Sequence, residues 1–234
     1  MSTSALAADK YAVVSAIGDE LTIVTYQPSV GTSLDSNQRQ IVPLADDTFD
    51  QVATKAAEAA IHRAVPDAVT IVLPPDRDVF LRDDATVQQR DVTPDQLGAI
   101  EKVAGEAGAR YLVLISKSKG ETRLAFRNGP RGQGKLFGIG FYFDRIKPVY
   151  QVDTGKSGRG FLSPYAYLTL TLVDLQTGTI MTKTASETST IPTAVSPTEM
   201  HPWDAVPAEA KVRALNGVIR KAVVETLPQV LAPT

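Results

Sequence analysis

The stretch from Tyr165 to Thr184 constrains the fold most, because it contains the longest alternation of apolar and polar side chains in the chain. Leu168, Leu170 and Leu172 take every second position, with tyrosine, threonine and valine between them. Successive side chains of a strand point to opposite faces of a sheet. Gly178 can adopt the positive φ that closes a tight turn. The stretch therefore predicts a β-hairpin whose leucine face packs on helices and whose other face is partly solvated.

Apolar runs and capping residues elsewhere predict an alternation of strands and helices. Two runs, Tyr11–Ile17 and Leu21–Tyr26, are separated by Gly18-Asp19 and predict a second hairpin. Helices are predicted from Asp46 or Asp47 to Pro66, from Thr93 to Gly108, and from Ala208 to Thr226 with Pro228 as the breaker. Further strands are predicted at Ile41–Leu44, Ala68–Leu73, Tyr111–Ile115, Thr122–Arg127 and Leu136–Asp144. The predicted fold class is an α/β layered sandwich, with about three helices on a mixed, largely antiparallel sheet.

The length of 234 residues suits one domain with one sizeable core, predicted over residues 11–230 after a disordered tail at 1–10. The glycine-rich stretch Ile146–Ser163 predicts a long loop. Residues 190–207 contain four prolines and predict a surface wrap that covers Trp203. Gly138 and Gly140 alternate with bulky residues in their predicted strand, which favours close approach by another backbone or ring.

Composition and motifs argue against several classes of chemistry. The chain has no cysteine, so disulfides and thiolate chemistry are excluded, and its only histidines are His62 and His201, which disfavours a multi-histidine metal centre. No apolar run approaches the roughly 20 residues of a membrane-spanning helix. Gly129–Lys135 fits the first seven positions of a phosphate-binding loop, but Leu136 occupies the eighth and a strand follows. No catalytic residue, cofactor or metal is predicted, and a non-enzymatic protein is favoured over an enzyme.

The N-terminal residues carry a hint of export. Ala5-x-Ala7 is the small-residue pattern that precedes a signal-peptide cleavage point, although no apolar segment stands before it. The interpretation is a signal-peptide remnant on a periplasmic or outer-membrane-associated protein. The alternative is the tail of a cytoplasmic protein.

Basic residues concentrate in one segment. Lys117–Arg159 holds ten basic and three acidic residues, a net charge of +7 in a chain whose formal net charge is −2. Aromatic residues alternate with these charges, a pattern that suits nucleic acid, an anionic lipid surface or an acidic protein. It also suits an ordinary solvated strand face above a core of aromatic rings. The predicted interaction surface comprises Arg127, Arg131, Lys135, Arg145, Lys147, Lys156, Arg159 and Phe161.

Three short segments carry a family resemblance. Gly108–Val113 (GARYLV), Tyr167–Asp174 (YLTLTLVD) and Thr177–Ile180 (TGTI) resemble the CsgG-like family, which includes the curli secretion channel and lipoprotein activators of penicillin-binding proteins. The resemblance implies an envelope protein that binds other proteins without catalysis. The predicted partner is an envelope protein or an anionic envelope component, with nucleic acid disfavoured and a homo-oligomer left open. The alternative is a small-ligand-binding protein or hydrolase with its site at the sheet edge.

Overall fold

A computed structural model describes residues 9–28, 35–74, 93–126, 129–151, 155–190, 194–195 and 203–232. Its helices are α1 (Thr48–Ala64), α2 (Pro94–Glu106) and α3 (Ala208–Leu231). Its strands are β1 (Lys10–Ala16), β2 (Glu20–Thr25), β3 (Gln38–Pro43), β4 (Val69–Leu73), β5 (Tyr111–Lys117), β6 (Lys119–Glu121), β7 (Lys135–Gln151), β8 (Lys156–Asp174), β9 (Thr179–Ser189) and β10 (Ala194–Val195). The predicted fold class, helices layered on a mixed sheet, is confirmed.

The sheet is built around β8, the longest strand. One edge of β8 pairs with β9 and β10. Along its other edge, the first part of β8 pairs antiparallel with β7 and the last part pairs antiparallel with β5. From β5 the sheet continues through β1 to β4, with both pairings parallel. From β7 it continues through a parallel β2 to an antiparallel β3. The sheet therefore has two branches that meet at β8. We call them the β5 branch (β5-β1-β4) and the β7 branch (β7-β2-β3).

The two faces of the sheet are covered differently. On one face, α1 and α3 pack over the leucine positions of β8, and Leu168, Leu170 and Leu172 are at most 6% exposed. On the opposite face, α2 covers the β5 branch. The β7 branch carries on that face an aromatic cluster, formed by Val24, Leu124, Leu136, Tyr142, Phe161, Tyr165 and Tyr167. The prediction that this second face is partly solvated is wrong at β8, because α2 and the aromatic cluster bury it.

The hairpin of β8 and β9 is confirmed. Asp174 lies opposite Thr179, and Gly178 closes the turn with φ of 64°. The alternating pattern holds through β8, since Leu170 lies in the core under the helices while Tyr167 lies in the aromatic cluster.

The predicted hairpin at Gly18-Asp19 is wrong. Strand β1 joins the β5 branch and β2 joins the β7 branch, so the chain bends at this point without pairing with itself. The side chain of Asp50, from the first turn of α1, holds the bend. Its carboxylate accepts hydrogen bonds from the hydroxyl of Ser15 (2.7 Å) and the backbone N–H groups of Ile17 (2.9 Å) and Gly18 (3.1 Å).

The predicted long loop at 146–163 is also wrong, because most of it is strand. Strand β7 runs on to Gln151, β8 starts at Lys156, and Tyr150 pairs opposite Ser157. By contrast, the described part of the predicted strand Thr122–Arg127 forms only an isolated bridge between Leu124 and Arg131. Glycine content misled the loop prediction, since antiparallel pairing with a long partner strand outweighs the local preference for a loop.

The helices follow their predicted positions with one exception. At the start of α2, Thr93 accepts from the Gln96 N–H (3.3 Å) and Gln96 Oε1 accepts from the Thr93 N–H (2.9 Å), forming a capping box. The predicted end of the last helix at Pro228 is wrong, because α3 continues to Leu231. Leu227 and Val230 are fully buried there, and this burial outweighs the loss of one helical hydrogen bond at proline.

Several predicted features fall outside the described residues. These are Ala5-x-Ala7, Arg127, His201 and most of the proline-rich segment 190–207. Trp203, at the end of that segment, is described and packs edge-on against Phe141 with ring centroids 5.5 Å apart. No helix in the described ranges is long and apolar enough to cross a membrane.

Candidate interaction surface

The β7–β8 hairpin extends beyond the rest of the sheet. Pairing with β2 ends at Phe143, and pairing with β10 ends at Phe161. Beyond these two residues lie 144–151 and 155–160, which among the described residues pair only with each other, at 148–151 and 156–159. We call this extension the arm. Five strand residues advance about 17 Å, so the arm reaches well past the sheet.

A bulge at the base of the arm sets its direction. Asp144 lies opposite Phe161 and Pro148 lies opposite Arg159, so three residues of β7 face one residue of β8. The fully buried Asp144 carboxylate accepts from the backbone N–H groups of Ile146 (2.7 Å) and Lys147 (2.9 Å). These bonds stabilise the bulge, and bulges of this kind bend a strand and redirect its side chains.

Basic side chains at the arm lie over aromatic rings. The Arg145 guanidinium stands 5.4 Å from the ring centre of Phe143, and the Lys147 ammonium stands 4.6 Å from that of Tyr26. Lys147 Nζ is also 3.7 Å from a carboxylate oxygen of Asp144. The rings hold these cations in place by cation–π attraction.

The turn between Leu124 and Arg131 repeats the basic–aromatic pairing. The Arg131 guanidinium lies 5.7 Å from the ring centre of Phe126, which packs edge-on against Phe161 at 5.0 Å. Phe161 is only 2% exposed. It therefore belongs to the core and does not contribute an accessible side chain to the predicted surface. The buried ring of Phe161 instead packs between the turn that carries Arg131 and the base of the arm.

The remaining predicted residues differ in how free their charges are. Arg159 is exposed on the arm. Lys135 lies 3.6 Å from Glu121, so its charge is partly compensated. The side chains of Arg127 and Lys156 lie outside the described part of the structure. Of the eight predicted residues, the structure thus places Arg145, Lys147 and Arg159 on the arm and Arg131 at the neighbouring turn.

Two exposed apolar side chains of the arm were not among the eight predicted surface residues. Ile146 is 51% exposed and Tyr150 is 63% exposed. Large apolar side chains left in water beside charged ones mark contact surfaces. Their signal was present in the sequence, but the expectation of a glycine-rich loop obscured the alternation of a strand.

Burial changes the acid–base properties of the aromatic cluster. Burial raises the pKa of Tyr142 and that of Tyr165 well above 10.0, and the negative charge of Asp144 adds to the effect at Tyr142. Burial also raises the pKa of Tyr167 to about 12, against the opposing hydrogen bond from the Arg123 N–H. These three phenols are therefore neutral at physiological pH.

A groove lies at the edge of the β7 branch, on the face that α1 and α3 share. It has a volume of about 570 Å³ and is lined by Ile23, Thr25, Gln38, Arg39, Gln40, Phe143, Arg145 and Trp203. The sequence did not predict it because it depends on the parallel pairing of β2 with β7, two strands more than a hundred residues apart. The sequence analysis left open a ligand site at a sheet edge, and this groove lies at such an edge.

No group of three or more His, Cys, Asp or Glu side chains in the described ranges is arranged to hold a metal ion. His62 is exposed on α1, with Nε2 3.3 Å from the hydroxyl of Thr70, which donates to Glu58 (2.9 Å). This arrangement agrees with the predicted surface position of His62.

No protein-family model and no curated protein matches the chain. Among solved structures it is similar to the PelC dodecamer from Paraburkholderia phytofirmans, at 12% identity and a TM-score of 0.35, covering 99% of this chain and 96% of that chain. It is similar to lipoprotein GNA1162 from Neisseria meningitidis, at 11% identity and a TM-score of 0.32, covering 94% and 99%. It is also similar to the LpoB C-terminal domain from Salmonella enterica, at 13% identity and a TM-score of 0.30, covering 79% and 85%. Similarities this low do not place the chain in a family.

Proposed function

We propose that the chain is a non-enzymatic interaction module of the cell envelope that binds an acidic protein partner through the arm. One observation carries the proposal: beyond Phe143 and Phe161 the described residues of the hairpin pair only with each other, and they expose Ile146 and Tyr150 beside basic side chains. A hairpin that supported only the fold would have its apolar side chains covered by the sheet or the helices.

The composition of the arm suits a protein interface. Tyrosine and arginine are enriched at the centres of such interfaces, and the arm presents Tyr150, Arg145 and Arg159. Within the described part of the chain, the two edges of the arm also leave backbone N–H and C=O groups open to an added strand, which is a recurring mode of partner recognition. A partner strand would gain backbone hydrogen bonds along the edge and side-chain contacts at Ile146 and Tyr150.

Charge favours an acidic partner. The segment Lys117–Arg159 carries a net charge of +7, and the turn with Arg131 lies next to the base of the arm. Complementary charge accelerates the encounter of two proteins and orients them as they meet. The envelope location in the proposal rests on Ala5-x-Ala7 and on the resemblance to the CsgG-like family, which implies protein binding without catalysis.

The test is capture of a partner from envelope extract of the source organism, with three versions of the full chain. The arm variant carries Arg131→Glu and Arg159→Glu. The control variant carries Lys55→Glu and Arg220→Glu, at exposed positions of α1 and α3, and has the same net charge. A protein captured by the wild type and the control and lost from the arm variant, with purified binding that weakens as salt rises, supports the proposal.

Equal capture by the arm variant and the control variant would overturn the proposed surface. A partner that binds all three versions alike would show that another face of the molecule carries the interaction. If the wild type captures no specific protein, the function as a protein-interaction module is wrong, and the arm is only a solvated extension of the sheet.

A further inference from the structure

The groove beside β3 has the chemistry of a binding site for an acidic sugar. We propose that it binds a saccharide unit that carries a carboxylate, with Arg145 on the carboxylate, Gln38, Gln40 and Thr25 on the hydroxyl groups, and Trp203 and Phe143 against the apolar face of the ring. The groove shares Arg145 with the base of the arm but takes a different kind of ligand, and the proposal names a ligand class for the sheet-edge site.

Strand pairing places the polar side chains along one wall of the groove. Gln38 lies directly opposite Thr25 on β2, and Thr25 lies opposite Phe143 on β7. Directly paired residues point to the same face of a sheet, so these three side chains form one row across three strands. Gln40 pairs with Ile23 in the next row of the same face. Two interstrand spacings amount to about 10 Å, a width that holds one sugar ring and its substituents.

Three polar side chains of the groove are available to a ligand. Within the described residues, neither Gln38, Gln40 nor Thr25 makes a side-chain hydrogen bond, and Gln38 and Gln40 are exposed. Two amides and a hydroxyl offer both donors and acceptors at one wall of one groove. A polyhydroxylated ligand uses both kinds of group, whereas a purely apolar ligand would use neither.

Among the described residues, Arg145 supplies the one uncompensated charge on the groove wall. Arg39 also lines the groove, but its guanidinium forms an ion pair with Asp35 and donates to the backbone oxygens of Asn37 (3.2 Å) and Lys135 (2.9 Å). Arg145 lies over Phe143 and has no carboxylate partner in the described part of the chain. One free guanidinium matches one carboxylate in a bidentate pair. A nucleotide, with several phosphate charges, would require more cations than this wall has.

The aromatic wall completes the site. Trp203 packs edge-on against Phe141, and the Lys211 ammonium lies 3.9 Å from the centre of its ring. These contacts fix the indole at the rim of the groove. A volume of about 570 Å³ lies within the usual range for small-ligand sites, which combine apolar walls with a few polar groups that orient the ligand.

The only tryptophan of the chain is a reporter for this site, because all indole fluorescence comes from the groove wall. The full chain is titrated with sodium glucuronate, with glucose and with succinate, at matched ionic strength, while tryptophan fluorescence is recorded. We expect a saturable change with glucuronate, with a Kd on the order of 1 mM, and a weaker response to glucose and succinate. Saturation-transfer NMR on each ligand checks binding without relying on the indole.

Variants separate the two parts of the site. We expect Arg145→Gln to weaken glucuronate binding about tenfold and to leave glucose binding unchanged, because the lost contact is a charge-assisted pair. Gln38→Ala with Gln40→Ala should weaken both sugars. Lys55→Gln removes one exposed charge from α1 and should change neither.

Three results would overturn the proposal. The first is no saturable response to glucuronate in either measurement. The second is succinate binding as tight as glucuronate binding, which would show a carboxylate site without sugar recognition. The third is glucuronate binding that Arg145→Gln leaves intact. None of these depends on the arm partner, because Arg131→Glu and Arg159→Glu leave the groove residues in place.

Discussion

Asp50 connects two parts of the fold through one carboxylate. It is 5% exposed and accepts three hydrogen bonds at the bend between β1 and β2, from Ser15, Ile17 and Gly18. Burial raises the pKa of Asp50 above 3.8, because these bonds do not fully replace the lost hydration. The carboxylate is therefore retained at some electrostatic cost, and its role is to fix the direction in which β2 leaves β1.

Replacing Asp50 should destabilise the whole molecule. Asp50→Ala leaves two backbone N–H groups and a hydroxyl without partners in the interior, and we expect a loss of about 3 kcal/mol in the free energy of unfolding. Urea denaturation measures the loss, with Asp95→Ala at an exposed position of α2 as the control. Equal stability of the two variants would show that the bend does not depend on Asp50.

Gly140 illustrates close approach between two backbones. A Cβ at this position would stand 1.9 Å from the backbone oxygen of Thr22, its pairing partner on β2. The sequence predicted such an approach from the alternation of glycine with bulky residues, and the structure confirms it here.

Alanine at Gly140 should therefore strain the β2–β7 pairing. We expect Gly140→Ala to reduce the free energy of unfolding by about 3 kcal/mol, since the obstacle is backbone and cannot rotate away. Gly98→Ala in α2 is the matched control, because nothing lies within 4 Å of a Cβ there. That variant should gain about 1 kcal/mol from its better helix propensity. A thermal or urea series in which both variants behave alike would contradict the close approach.

At the scale of elements, the arm is an addition to the sheet and not a support for it. It pairs only with itself in the described residues, while the bulge at Asp144 anchors its base. We expect replacement of residues 149–158 by a two-residue Asn-Gly turn to change the free energy of unfolding by about 1 kcal/mol or less, since a short closing loop is entropically inexpensive.

Circular dichroism and urea denaturation of the shortened chain check this expectation, and the shortened chain should also lose the envelope partner. Deletion of residues 115–117 in the central strand β5 is the contrasting control and should prevent folding, because all three pair within the sheet. A shortened arm that unfolds the protein would show that the arm stabilises the sheet.

The sequence predicted helices, strands and turns correctly where neighbouring residues determine the structure. It failed where a residue distant in the sequence determines it. The alternation of leucines in β8 and the Thr93 cap of α2 lie within a few residues of the structures that they form. Gly18-Asp19 is typical of a hairpin turn, but the chain bends there because of hydrogen bonds to Asp50, which lies more than 30 residues away. For the same reason the groove was not visible in the sequence, because Gln38, Thr25 and Phe143 become neighbours only when β2 pairs with β7.

At the scale of the whole molecule, the buried tyrosines predict loss of stability at alkaline pH. Tyr167 has its pKa raised from 10.0 to about 12, so the unfolded chain loses its phenolic proton first. The free energy of unfolding should be constant below pH 10.0 on this account and should fall as pH rises toward about 12. Each raised tyrosine contributes up to about 1.4 kcal/mol per pH unit in that window.

Urea denaturation over this pH range, with tyrosinate absorbance recorded in parallel, measures the effect. Tyr165→Phe and Tyr167→Phe should flatten the profile, although Tyr167→Phe also loses hydrogen bonds to Glu121 O (2.8 Å) and from Arg123 N (2.9 Å). Tyr150→Phe, at an exposed ring of the arm, is the control. A wild-type profile that stays flat to about pH 12 would contradict the burial of these phenols.

The sharing of β8 by two branches has a consequence for how the chain can be divided. Along the sequence, β1 belongs to the β5 branch, β2 and β3 to the β7 branch, β4 and β5 to the β5 branch again, and β7 to the β7 branch. No single cut separates the two halves, because the chain passes between them three times before it reaches the strand that joins them. Neither half is a continuous segment that can be synthesised and completed first. We therefore expect the two branches to assemble as one cooperative unit, and only after β8 has been synthesised.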